Sequence, residues 1–247
     1  MREGKRGQVT IFIILAIIIV ASVLTFFLYA KPTFLSKEGT RIGFDGCVQD
    51  SLELAIYELE KNGGFVEPEF SYTHEGEEIS YLCYTNEYYK TCTVQVPFLS
   101  SQIDNQLEII MRDKVDKCYS DSIEELKSQG YEVTAGRVDY DVLLETGIVR
   151  MEIKAPTVVG SQSFTKFDVK LTSPVYDMAM MATSLLQFEA TFGDTDLNTM
   201  SQYYPEYKIT KMKMGDGTTI YSIESKIFGD KLQFASRSLV FPAGYDL

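Results

Sequence analysis

The side chains able to do chemistry are few and scattered along the chain. The one histidine, His74, stands in an acidic stretch between Thr73 and Glu75. A Ser-His-Asp or Cys-His arrangement would have to use it, because the imidazole is the base that activates the nucleophile. No nucleophile motif lies beside it, so it reads as a solvated loop residue. His74-Glu75 opens the pattern H-E-x-x-H, but Glu78 stands where the second His should be, and the zinc site fails. Asp194-Thr195-Asp196-Leu197-Asn198 has the opening spacing of a calcium loop. Thr199 replaces its glycine and Pro205 its closing glutamate, so Asp194, Asp196 and Asn198 are metal candidates set against a plain helix-linking loop. Asp139 and Asp141 point the same way on a strand and could bind a cation or simply face water, and Glu75, Glu77 and Glu78 read as a solvated turn. No phosphate-binding glycine loop occurs in either the G-x-x-x-x-G-K-[ST] or the G-x-G-x-x-G form. The expectation is therefore no catalytic residue and no cofactor.

Four cysteines remain: Cys47, Cys83, Cys92 and Cys118. An even count suits two disulfides in an oxidising compartment, with three pairings open. Cys83 with Cys92 is preferred, since they flank an expected hairpin whose tip is Asn86-Glu87-Tyr88-Tyr89; Cys47 and Cys118 would then join two helices. The rival is a zinc site of four thiolates, which normally shows close C-x2-C pairs, and none occurs.

The 247 residues hold 23 Lys and Arg against 35 Asp and Glu, of which three basic and one acidic lie in the first thirty. Residues 31–247 thus carry 20 basic and 34 acidic side chains, a net of −14. A body that acidic repels phosphate backbones, so nucleic acid is excluded as a partner. The apolar content of 45% rules out a disordered chain.

The first thirty residues differ from the rest. Arg2, Lys5 and Arg6 precede VTIFIILAIIIVASVLTFFLYA, residues 9–30, which contain no charge. As a helix this stretch would be about 33 Å long, against a hydrocarbon core of about 30 Å. The expectation is a transmembrane helix with the basic end cytoplasmic, the lipid bilayer as partner and the remainder outside. A cleaved secretory signal fits less well, because neither Ala21-Ser22-Val23 nor Leu28-Tyr29-Ala30 supplies the pair of small residues at a cleavage site.

Lys5-Arg6-Gly7-Gln8-Val9-Thr10 followed at once by the apolar stretch resembles the leader (class III signal peptide) of archaeal type IV pilin-like proteins. The resemblance covers about a tenth of the chain. It implies processing between Gly7 and Gln8 by a prepilin peptidase, and partners among copies of itself or other envelope proteins. Such pilins carry Glu as the fifth mature residue; here that position is Phe12. The alternative is an uncleaved signal anchor.

Beyond residue 44 the pattern is mixed. A helix is expected from Asp45 or Gly46 to Lys61, stopped at Asn62-Gly63-Gly64. A second is expected from Ser100 or Ser101 with Ile103, Leu107, Ile110 and Val115 inward, and a short one near Ile123–Ser128. Val138–Leu144, Val149–Ile153 and Phe167–Leu171 alternate with a period of two and predict an antiparallel meander. Ser173-Pro174 opens a helix to about Thr191, with Met178, Ala182, Leu185 and Phe192 inward; its methionines are core filler. Gly215-Asp216-Gly217 joins two strands, and Lys231–Phe241 supplies a last one. The fold class expected is α+β: an N-terminal transmembrane helix, then an extracytoplasmic domain with antiparallel sheet and packed helices. The divisions are 1–8 leader, 9–30 membrane helix, 31–44 linker and 45–247 outer domain. The function expected is structural or interactive, at the cell envelope. A ligand-binding or sensor ectodomain is the alternative, and a carboxylate- or calcium-dependent hydrolase a more distant one.

Overall fold

The computed structural model describes residues 19–20 and 43–240. The chain divides into two units, Met1–Arg41 and Ile42–Leu247. Among its described residues the second unit contains four helices, α1 (Phe44–Lys61), α2 (Leu99–Ser128), α3 (Val175–Phe192) and α4 (Leu197–Tyr203). Ten described strands make two sheets. In the first, β1 (Ser71–His74), β2 (Glu77–Tyr84), β10 (Lys231–Arg237), β9 (Thr218–Ser225) and β8 (Tyr207–Lys213) run side by side, and β3 (Thr93–Val94) pairs with β2. In the second, β6 (Ile148–Val159) is central; β5 (Asp139–Glu145), β7 (Gln162–Thr172) and β4 (Val133–Ala135) all pair with it. Helices α1 and α3 touch both sheets, and the main apolar core draws on all of these elements except β1, whose Tyr72 packs against a smaller cluster of Ile79, Tyr81, Ile220 and Ala235.

Local sequence accounts for most of this. β6 alternates buried and exposed along its length, Val149, Met151, Ile153 and Ala155 facing the helices. Thr146-Gly147 turns it back on β5, with Gly147 at φ +71°. Helix α1 buries Val48, Leu52, Ala55, Ile56 and Leu59, a stripe with helical spacing. It ends where Gly63 and Gly64 take φ of +70° and +89°, and Gly64 N–H caps the Leu59 carbonyl at 2.7 Å. A Cβ on Gly63 would lie 3.0 Å from Ser80 Cβ, so glycine also lets the helix end meet the sheet closely.

The α+β class stands, but the transmembrane helix of the expected architecture is corrected. Among the described residues no helix is long and apolar enough to cross a membrane. The longest, α2, has 30 residues but breaks every apolar run with charge, as at Arg112-Asp113-Lys114. The stretch 9–30 with Phe12 lies outside the described residues apart from Ile19 and Val20, as do leader 1–8 with Gly7 and Gln8, and linker residues 31–42.

Smaller differences have local causes. Helix α1 opens at Phe44, whose fully buried ring belongs to the core and not to a linker. The second and third expected helices are one. Ser120 and Ser122 donate to the carbonyls of Lys117 (2.9 Å) and Cys118 (2.8 Å), so their hydroxyls are satisfied within the helix and do not interrupt it. Phe192 is 63% exposed, and Glu189 takes the inward place expected for an apolar residue. His74 ends strand β1, opposite Glu77, and is not in a loop. The sheets are antiparallel except for β2 and β10, which run parallel.

Candidate functional site

The cysteines form two bridges. Cys47 in α1 is bonded to Cys118 in α2, and Cys83 in β2 to Cys92 just before β3. No cysteine is free.

The calcium-like run is used otherwise. Asp194 Oδ1 accepts from Lys211 Nζ at 2.6 Å, and its Oδ2 from Lys213 Nζ at 3.1 Å. Partial burial raises this carboxyl, but the two lysines outweigh it and hold the group below the usual range. Asp196 caps α4, accepting from Asn198 N–H at 3.0 Å and the Thr199 hydroxyl at 2.7 Å. A cation at Asp194, Asp196 and Asn198 would have to displace two ammonium groups and a helix cap. Among the described residues, no three His, Cys, Asp or Glu side chains are grouped closely enough to hold a metal. Asp141 pairs with Lys154 at 3.2 Å and Glu77 with Lys61 at 3.0 Å, while Glu75 sits at φ 53° in the β1–β2 turn.

Two buried carboxyls carry no motif that would mark them in the sequence. Glu189 receives the Tyr221 hydroxyl and, at 3.1 Å, the Ser236 hydroxyl. Burial pushes its carboxyl upward. Both its oxygens have partners, so it reads as a structural tie between α3 and strands β9 and β10. Glu60 is different. It continues the ridge Leu52–Ile56 one turn further along α1, which carries it inward, and it is 2% exposed. Its Oε1 has no hydrogen-bond partner among the described residues. Burial first, then the carboxylate of Asp230, push its pKa up to about 8. The backbone N–H of Lys231, at the start of β10, works against the rise in its pKa.

Glu60 lines a pocket of about 460 Å³ between α1, the end of β7 and the β9–β10 turn. Asp50, Glu53 and Asp230 line it too, and burial together with the nearby Glu53 raises the Asp230 carboxyl. Leu54, Ile56 and Leu171 supply an apolar wall. Among the described residues no basic side chain lines it. Tyr57 and Asp230 also border a wider groove of about 900 Å³ that reaches His74, and cations line it, among them Lys61 paired with Glu77, and Lys208 paired with Glu224 at 3.2 Å. An acidic pocket with an apolar wall can take a guest that is positively charged at one end and apolar at the other.

Compared with known proteins, the chain matches no family model, no curated protein and no solved structure.

Proposed function

We propose that this chain is a pilin-like protein of the cell envelope, whose α+β domain works outside the cytoplasm by contact with partners and not by catalysis. The observation that carries the location is the engagement of all four cysteines in two disulfides, which persist in oxidising compartments. The leader Lys5-Arg6-Gly7-Gln8 ahead of an apolar stretch supports the pilin-like part, with a prepilin peptidase as processing partner and self or other envelope proteins as contacts. The acidic surface suits a domain that must remain dispersed while displayed, through like-charge repulsion. The test is the N-terminus of the chain isolated from its own cells. A mature chain beginning at Gln8 is expected; an intact Met1 removes the pilin-like reading.

A second reading, a ligand-binding or sensor ectodomain, is favoured by one specific observation, the pocket around Glu60 with its unpartnered buried oxygen.

A further inference from the structure

We propose that the acidic pocket beside α1 binds a primary ammonium group carried on a short alkyl chain. The site depends on the geometry of this pocket alone, whatever the processing of the leader. Asp50, Glu53 and Glu60 come from α1 and Asp230 from the turn before β10, so two distant parts of the chain bring four carboxyl groups to one cavity. None of the four shares an ion pair among the described residues, whereas Lys61, Lys208 and Lys211 nearby are all paired with other acids.

Glu60 turns a cluster of acids into a site. Its Oε1 is buried and has no donor among the described residues, and the residue itself lines the cavity. A buried acceptor left without a donor carries an uncompensated desolvation penalty, so a guest that brings an N–H there is favoured by its relief. An ammonium brings three N–H donors and a charge to match the carboxylates. Its chain then lies against Leu54, Ile56 and Leu171. The Tyr57 ring at the rim already holds one ammonium of the chain, Lys61 Nζ, at 4.6 Å from its centroid. The volume of about 460 Å³ lies in the range of roughly 300–1,000 Å³ usual for small-ligand sites. A calcium ion needs 6–8 oxygens around one point, and these acids are not grouped that closely.

Ionisation supplies a readout that mere structural burial does not. The titratable and charged groups facing Glu60 are Asp50, Glu53 and Tyr57 on α1, and Asp230 and Lys231 at β10. With its pKa at about 8, Glu60 is mainly protonated at pH 7 in the empty pocket. An ammonium seated beside it favours the carboxylate, so binding releases close to one proton to the buffer, and no other bond changes.

The experiment is isothermal titration of the full-length chain, dispersed in a neutral detergent, with n-butylammonium chloride at pH 7 in two buffers of different ionisation enthalpy. The result expected is saturable binding with close to one proton released, absent with n-butanol or sodium chloride. E60Q should weaken binding at least tenfold and abolish the proton release. D230N should weaken binding severalfold and keep the release, and it carries the test alone if melting curves show E60Q unfolded. Nα-acetyl-lysine N-methylamide distinguishes the source: tighter binding than butylammonium points to a lysine of a polypeptide, weaker binding to a free amine, and either supports the site. Absence of saturable binding, unchanged affinity in a folded variant, or displacement of butylammonium by calcium chloride would overturn it.

Discussion

Replacing Glu60 by Gln should stabilise the domain, and by an amount that depends on pH. The folded-state pKa of Glu60 is about 8, against an ordinary value of 4.5. Between those values the folded chain binds a proton that the unfolded chain has released, so stability falls as pH rises. The fall begins near the ordinary value and is complete once the pH has passed the folded value. At about 1.36 kcal/mol per unit, the ionisable side chain costs about 3 kcal/mol at pH 7 and approaches about 5 kcal/mol above pH 8. Gln has nearly the same shape and no charge. Its amide is still buried without a partner at the position of Oε1, so near pH 4 the variant should be equal to the parent or about 1 kcal/mol less stable. Urea unfolding at a series of pH values, with unchanged m, reads the difference directly. The variant should gain on the parent steadily from about pH 5 to pH 8 and then run parallel to it. A difference independent of pH would refute the reasoning, because it would mean that Glu60 titrates at its ordinary value and is not held in a dry site.

Three other substitutions probe the rest of the domain. C118S opens a bridge with a sequence separation of 71 residues, and loop-closure entropy puts the loss at about 4 kcal/mol, measurable in the same urea titration. Y221F removes the hydroxyl that donates to buried Glu189 and should cost about 1–3 kcal/mol; a loss within error would show that carboxyl to be otherwise solvated. D194N weakens contacts to Lys211 and Lys213 at a site about one third exposed, so a thermal melt should register a change below about 1 kcal/mol, and addition of calcium should not shift the melting of the parent.

Elements whose signal is local were legible from the residues. The meander β5–β6–β7 announces itself by alternation, the β8–β9 hairpin by Gly215-Asp216-Gly217, and the end of α1 by Asn62-Gly63-Gly64. What depends on distant partners was not. The parallel pairing of β2 with β10 joins residues some 150 positions apart, such as Tyr81 and Ala235, and no local pattern encodes it. Strand β1 is short and half polar, so Ser71–His74 has the look of a loop. Phe192 looks like core because it is aromatic, but it falls one turn beyond the end of the buried face, beside Phe188, and both are exposed.

The pocket is hidden for the same kind of reason. In Glu58-Leu59-Glu60-Lys61 the acid resembles any charged residue on the wet side of a helix. Its place four residues after Ile56 and eight after Leu52 is the one signal that it shares their face. That Asp230 and Lys231 arrive against it is decided by the β9–β10 turn, far along the chain. The calcium-like run shows the converse: acids at suggestive spacing, answered by lysines that only the sheet brings near.

Folding outside the cytoplasm, with the domain closed by two bridges, is tested most directly by the thiol state of the protein taken from its own cells without reductant. Intact mass should lie four hydrogens below the fully reduced value, with no thiol reactive to an alkylating agent after denaturation. A chain at the reduced mass with four alkylated cysteines would place the domain in a reducing compartment and contradict that location.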